Sequence, residues 1–333
     1  MPLDPRSAPP HGLSEDDGKG DENSPNNAPI DFLQSENRKH RFPLIWLSPY
    51  QTDLLIRRSI VSQAAVLDPV RPAAAKPWTP QTVRWVRHWT DGLFSFAIDR
   101  PEDFRFRSGE FVMIGLPGEE GAKPILRAYS IASPSWSDEL EFFSIAVADG
   151  PLTSRLVHIQ AGDKVLLGKK PTGTLVLDAL KSGRNLYLIG TGTGLAPWLS
   201  VARDPETYQR FNRVIITHTV RRVADLAYRD CLSGSFYDDP LVGDEAKAQL
   251  TYYPTVTREA FVTPGRITDL ITSGKLFEDL GLLPGFDPAH DRVMLCGSNA
   301  MIRETADLLE GFGLTEGSNA QPGDYVLERA FVG

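Results

Sequence analysis

Near residue 184 the hydrophobic pattern changes from short strands to strands alternating with helix-length segments. Such a change divides a chain between two architectures. Before it, Thr82–Val86, Leu93–Ile98, Phe111–Ile114, Leu140–Val147 and Lys164–Leu167 read as short strands punctuated by Gly, Pro and Asp. That pattern predicts an antiparallel barrel. After it, Leu186–Ile189, Val214–Thr217 and Val293–Cys296 alternate with helix-length segments over 195–203, 221–231, 267–273 and 299–312. That alternation predicts a parallel sheet with helices on both faces. The expected organisation is a two-domain β + α/β chain: an N-terminal extension over 1–76, a barrel over 77–180 and an α/β domain over 181–333.

The first 30 residues hold six prolines among many Asp, Glu, Asn and Gly, so the extension is expected to be largely disordered. Arg38–Arg41 is a short basic cluster, 51–65 a weak helical segment and 71–76 a linker. The start lacks the basic and apolar regions of a secretory signal. A formal net charge of −8 argues against nucleic-acid binding. No apolar run approaches the ~18 residues that cross a bilayer. Cys231 and Cys296 stand far apart, without metal-binding or disulfide-framework spacing. A cytoplasmic protein without a metal fits these features.

Arg127-Ala128-Tyr129-Ser130 supplies a cation, a ring and a hydroxyl on an extended segment. Arginine and tyrosine two apart share a strand face. The set suits an anionic, aromatic ligand such as a flavin nucleotide, and equally a strand with a packed tyrosine and a surface arginine. In the flavin reading Tyr129 stacks on the isoalloxazine, Arg127 neutralises a pyrophosphate and Ser130 donates near flavin N5. Gly150–His158 reads as a turn feeding a helix, with Thr153 and Ser154 near a phosphate, or as an ordinary helix cap. Lys169–Thr174 is a further glycine-containing turn in which Thr172 and Thr174 would orient such a cofactor, while the lysines either bind phosphate or merely solvate the turn.

Gly190-Thr191-Gly192-Thr193-Gly194 follows the apolar strand 186–189 and leads into a helix with Pro197 in its first turn. Glycines there permit a tight turn and close approach of a phosphate. The spacing is G-x-G-x-G, not the strict dinucleotide fingerprint. Arg221, Arg258 and Arg266 fall in loops expected at the carboxyl edge of the sheet. Three arginines there favour the 2′-phosphate of NADP; three solvated surface arginines are the plain alternative. No acidic residue ends strand 214–217, where a ribose-binding carboxylate for NAD would stand. Cys296 ends a strand, either shaping a nicotinamide pocket or buried as an apolar residue.

Together, "RAYSIASP", "FFSIAVADGPLTSRL", "KKPTGTLV", "GTGTGLAP", "VRRVADLAYRD", "TYYPTVTRE", "GRITDL", "VMLCGSNAMI" and terminal "YVLERAFVG" resemble bacterial ferredoxin/flavodoxin–NADP reductases over about 79–333. The resemblance implies an FAD-binding antiparallel barrel followed by an NADP-binding α/β domain. It also implies reversible electron exchange between NADP(H) and ferredoxin or flavodoxin. A monomer without stable membrane insertion is expected. By the same resemblance, Arg127, Ala128, Tyr129, Ser130, Leu152, Thr153, Ser154 and Thr174 bind noncovalent FAD. Thr191, Gly192, Thr193, Gly194, Arg221, Arg258 and Arg266 take NADP. Ser130, Cys296 and Glu328 lie at the hydride-transfer centre. The tail differs from the plant-type pattern, whose terminal tyrosine covers the flavin. Here Ala330 takes that place, with Phe331 expected on the adenine.

Overall fold

The computed structural model describes residues 76–118 and 123–328. The expectations for the extension before residue 76, including the segment 51–65 and the basic cluster 38–41, lie outside the described residues. So do those for Ala330 and Phe331.

Six strands build the first sheet: β1 (Trp78–Thr90), β2 (Leu93–Asp99), β3 (Phe111–Leu116), β4 (Ile125–Ser130), β5 (Glu139–Ile145) and β6 (Lys164–Gly168). Their order is β4-β3-β6-β1-β2-β5, and every pairing is antiparallel. A bridge between Ile131 and Phe142 joins the two outer strands, with Ala132 N donating to Glu141 O at 2.8 Å. The sheet therefore closes into a barrel, which removes its exposed edges. β1 makes the closure possible by serving two partners. Its start pairs with β6, its end with β2, and the register shifts between Val83 and Trp85. Phe94, Phe96, Ile98, Val112, Ile114 and Phe142 fill the interior.

Both faces of β2 are buried. Phe94, Phe96 and Ile98 face the barrel core, while Leu93 joins a second cluster with Phe143, Leu188, Trp198 and Met294. This explains why Leu93–Ile98 reads as a nearly unbroken apolar run rather than an alternating one.

The second sheet contains β7 (Asn185–Thr191), β8 (Arg213–Val220), β9 (Leu250–Val256), β10 (Asp291–Cys296) and β11 (Tyr325–Glu328). The order is β11-β10-β7-β8-β9, all parallel. The chain starts at β7, builds outward through β8 and β9, then returns to add β10 and β11 on the other side. The strand order thus reverses between β7 and β10, and ligand crevices in open α/β sheets form at the carboxyl ends of such a pair. Alternate residues serve opposite faces: Leu186 and Leu188 pack in one core, Tyr187 and Ile189 in another.

Eight helices accompany the strands among the described residues: α1 (Thr153–Leu156), α2 (Ala196–Val201), α3 (Pro205–Arg210), α4 (Arg229–Leu232), α5 (Gly243–Gln249), α6 (Ile267–Thr272), α7 (Lys275–Asp279) and α8 (Asn299–Gly311). The helix expected over 221–231 does not form as one piece. Arg222 N donates to the Asp225 carboxylate at 3.1 Å, which favours a 3-10 turn over Val223–Asp225. α4 then starts after Tyr228, whose φ of 62° is left-handed. Such a conformation costs a side-chain-bearing residue about 1–2 kcal/mol. The Tyr228 hydroxyl offsets this by donating to Glu141 of β5 at 2.7 Å and bonding Ser95 of β2. Trp89 Nε1 also donates to Ser95 Oγ, at 2.8 Å. This network ties the barrel to the segment after β8.

Candidate active site at the carboxyl edge of the parallel sheet

The turn after β7 depends on glycine at two positions. Gly192 has a φ of +54°, in the left-handed region that glycine enters without a steric cost. A Cβ on Gly194 would lie 2.3 Å from the Cys296 carbonyl oxygen, so only a glycine lets the turn rest on the end of β10. Thr191 reinforces the junction: its Oγ1 accepts from Ser298 N at 2.9 Å. Ser298 in turn caps α8, its hydroxyl accepting from Met301 N at 3.3 Å. α2 leaves the turn with Pro197 in its first turn and every residue buried.

A cleft of about 810 Å³ opens over this turn. Thr191, Gly192, Thr193 and Gly194 line it together with Arg221, Arg258 and Arg266. All seven residues expected to take NADP are thus brought to one cavity. Arg258 N donates to Arg221 O at 3.0 Å, which holds the two arginine-bearing loops side by side. Arg266 donates to Glu304 at 2.7 Å, so part of its charge is already met. Thr90, Gly92, Leu93, Ile145 and Ala146 form the opposite wall. The cleft therefore runs between the barrel rim and the sheet edge.

Beside it, the ends of four segments meet. Cys296 and Glu328 are register partners across β10 and β11. Thr174 donates to the Glu328 carboxylate through its N at 3.1 Å and its hydroxyl at 3.3 Å. The same hydroxyl donates to Leu327 O at 2.6 Å. The turn that carries Thr174 is fastened to β3 by paired bonds between Phe111 and Thr172, at 2.8 and 2.9 Å. Phe111 faces Ser130 across β3 and β4. Ser130 is buried beside the Cys296 thiol, yet its hydroxyl makes no hydrogen bond of standard geometry. Burial pushes the Cys296 thiol well above its ordinary value, and the neighbouring Glu328 charge pushes it further. Cys296 is therefore a neutral thiol at neutral pH. The structure gathers Ser130, Cys296, Glu328 and Thr174, four residues scattered through the sequence.

The remaining barrel residues lie elsewhere. Arg127 is exposed, and its guanidinium donates to Leu126 O at 3.0 Å. Ala128 is half-buried between Arg127 and Tyr129 on β4. The Tyr129 ring is 7% exposed, set edge-on to Phe96 and Phe142, and its hydroxyl bonds Ser144 at 3.1 Å. Most of that ring belongs to the barrel core, which leaves little of its surface open. Leu152 is buried just before α1. Thr153 Oγ1 accepts from Val147 N at 3.2 Å, and Ser154 Oγ donates to Gly150 O at 2.7 Å. Both hydroxyls thus serve the local turn in this structure.

A family model described as the oxidoreductase NAD-binding domain matches residues 188–307. The flavodoxin/ferredoxin–NADP reductase of Rhodobacter capsulatus is 54% identical over 265 residues, covering 80% of this chain and 97% of that protein. The chain belongs to the bacterial ferredoxin/flavodoxin–NADP reductase family. The ferredoxin–NADP reductase of Pseudomonas aeruginosa is 54% identical over 248 residues, 74% of this chain and 95% of that one. A solved ferredoxin NADP+ reductase from Neisseria gonorrhoeae, with bound FAD and NADP, superposes with a TM-score of 0.69 at 32% identity. That match covers 77% of this chain and 100% of the solved one.

The reductase cleft also contains residues that sequence reasoning missed. Thr219, Asp225, Thr257 and Thr268 line it. Thr219 lies near the end of β8, Asp225 in the 3-10 turn after it, Thr257 just after β9 and Thr268 in the first turn of α6, so closeness in sequence to Arg221, Arg258 and Arg266 is the signal that could have found them. His218 is buried under the reductase's glycine turn, its Nε2 3.2 Å from Gly192 O. A histidine inside an apolar strand carries no signal of its own, because a satisfied core histidine leaves the same trace.

Proposed function

We propose that this reductase moves electrons reversibly between NADP(H) and a ferredoxin or flavodoxin through noncovalently bound FAD. The observation that carries this reading is the convergence at the β7–β10 switch point: a glycine turn and three arginines share one cleft, beside Ser130, Cys296 and Glu328.

The residues present fit both groups. The Ser130 hydroxyl is buried beside the Cys296 thiol, a weak hydrogen-bonding group, and makes no bond of standard geometry among the described residues, so it keeps capacity for a ligand. A polar ring edge of a flavin would use it. Arg127, Ala128, Tyr129, Leu152, Thr153, Ser154 and Thr174 would hold the rest of FAD. Arg127 is exposed and carries the charge to meet a pyrophosphate. When bound, FAD supplies the conversion between a two-electron hydride and single-electron steps.

The chain's own residues bind, orient and exclude water. Thr191–Gly194 would receive the NADP diphosphate, while Arg221, Arg258 and Arg266 read the 2′-phosphate. Cys296, neutral and fully buried, would pack the nicotinamide pocket without moving a proton. Glu328, anchored by Thr174, would place a carboxylate where charge develops during the reaction. The proposal includes a monomeric, cytoplasmic enzyme.

Mass analysis of the cofactor released on denaturation tests the flavin. FAD is expected; FMN or no flavin would overturn it. Adding purified ferredoxin or flavodoxin to the NADPH-reduced protein tests the acceptor. Reduction of at least one is expected, and reduction of neither would remove this assignment while leaving the flavin site intact.

A further inference from the structure

His218 sits on β8, fully buried, directly beneath the turn that lines the cleft. Its two ring nitrogens have different partners: Nε2 is 3.2 Å from Gly192 O, and Nδ1 is 3.1 Å from the Tyr252 hydroxyl. A carbonyl oxygen only accepts, so Nε2 carries the proton and donates. Nδ1 is then an acceptor, and Tyr252 on β9 donates to it. The Gly192 carbonyl thus fixes the tautomer, and Tyr252 braces the ring in it by donating to Nδ1.

We infer that His218, braced by Tyr252, is a positioning residue that aims the Thr193 amide N–H into the cleft to receive the NADP diphosphate. This inference rests on the nucleotide reading above. The link is peptide geometry. In a planar trans peptide the carbonyl oxygen and the following N–H point in opposite directions. His218 draws the Gly192 carbonyl inward, so the Thr193 N–H faces the other way, toward the cavity that Gly192 and Thr193 line. Gly192 opens the 3-10 turn Gly192–Leu195 at a φ of +54° and has no side chain of its own, so the His218 bond adds a side-chain restraint to that of the turn. A flipped peptide would turn a carbonyl oxygen toward an anion instead. Burial keeps the imidazole neutral, which preserves the acceptor at Nδ1.

Calorimetric titration of the FAD-loaded protein with NADP+ and with adenosine 2′-monophosphate separates this role from general support. The second ligand carries the 2′-phosphate for the arginines but no diphosphate for the turn. His218→Leu is expected to weaken NADP+ about tenfold, the worth of one charge-assisted hydrogen bond. It is expected to change adenosine 2′-monophosphate binding by less than about twofold, because its phosphate contacts lie outside the turn. His218→Gln, whose amide nitrogen can replace Nε2–H, is expected to stay within about twofold of wild type for both. Tyr252→Phe removes the donor to Nδ1 and loosens the ring, and is expected to weaken NADP+ about threefold.

Unchanged NADP+ binding in His218→Leu would overturn the inference. So would equal losses for both ligands, which mark a merely structural role, or failure of glutamine to rescue. If His218→Leu does not fold, Tyr252→Phe and His218→Gln decide: wild-type NADP+ affinity in Tyr252→Phe would overturn the inference. Failure of wild type to bind either ligand would instead overturn the nucleotide reading, and this inference with it.

Discussion

Glu328 is held in place by Thr174 from one side and is paired in register with Cys296 on the other. Its charge is therefore fixed near the ends of β10 and β11 rather than spread over solvent conformations. Glu328→Gln keeps the shape and removes the charge. It is expected to slow NADPH-driven flavin reduction about tenfold or more, with FAD content unchanged. A wild-type rate at full FAD and saturating NADPH would rule the role out. Arg258→Ala is expected to lower the preference for NADPH over NADH, since one charge-assisted phosphate contact is worth ~1–3 kcal/mol. An unchanged ratio of catalytic efficiencies would exclude Arg258 as a phosphate reader. His218 gives a pH prediction. Burial depresses its pKa from 6.5 to about 4. Its contribution to stability is therefore full above pH 6.5 and is lost as the pH falls toward 4. Wild type should lose about 2 kcal/mol from this source between pH 7 and pH 5, and His218→Gln should not. Denaturant titrations of both proteins at the two pH values measure the difference; parallel losses would contradict it. Residues with charge and unusual spacing, such as Arg221 and Gly194, were legible in the sequence. His218 and Tyr252 were not, because their meaning comes from a neighbour 26 or 34 positions away.

At the scale of elements, the glycine turn shows why a loose motif can still be structurally demanding. Gly194 fills no left-handed requirement; it is required because β10 lies against it. Gly194→Ala is expected to destabilise the protein by about 1–3 kcal/mol and to slow reduction by NADPH, as the turn moves off Cys296. Melting curves and reduction rates check both, and a variant identical to wild type would show that the contact is relaxed. The strands around this turn were legible as apolar runs bounded by Gly and Pro. The 221–231 segment was not, because Asp225 closes a local turn and Tyr228 takes a left-handed conformation held by Glu141 and Ser95. Periodicity cannot see a bond across 87 residues. β9 hides in a different way: Pro254 interrupts its pattern, yet sits at the sheet edge, where proline is tolerated.

At the scale of the whole molecule, the change of period near residue 184 marks the passage from barrel to parallel sheet. What periodicity did not contain was strand order. The reversal between β7 and β10 is decided by the late return of the chain, and it alone places Cys296 beside the turn after β7. The N-terminal residues suggest a further test. The Rhodobacter capsulatus relative is covered over 97% of its length by 80% of this chain. Deleting residues 1–60 is expected to leave FAD retention and reduction by NADPH intact; loss of both would show that the segment is part of the fold. The cleft is proposed to take NADPH beside a bound FAD. Anaerobic stopped-flow mixing of the purified, flavin-loaded protein with NADPH and, separately, NADH reads this directly from flavin absorbance. Rapid bleaching by NADPH, with NADH at least about tenfold less efficient, is expected from the three arginines. Equal efficiency with both donors would contradict the 2′-phosphate reading, and no bleaching with either would contradict the site itself.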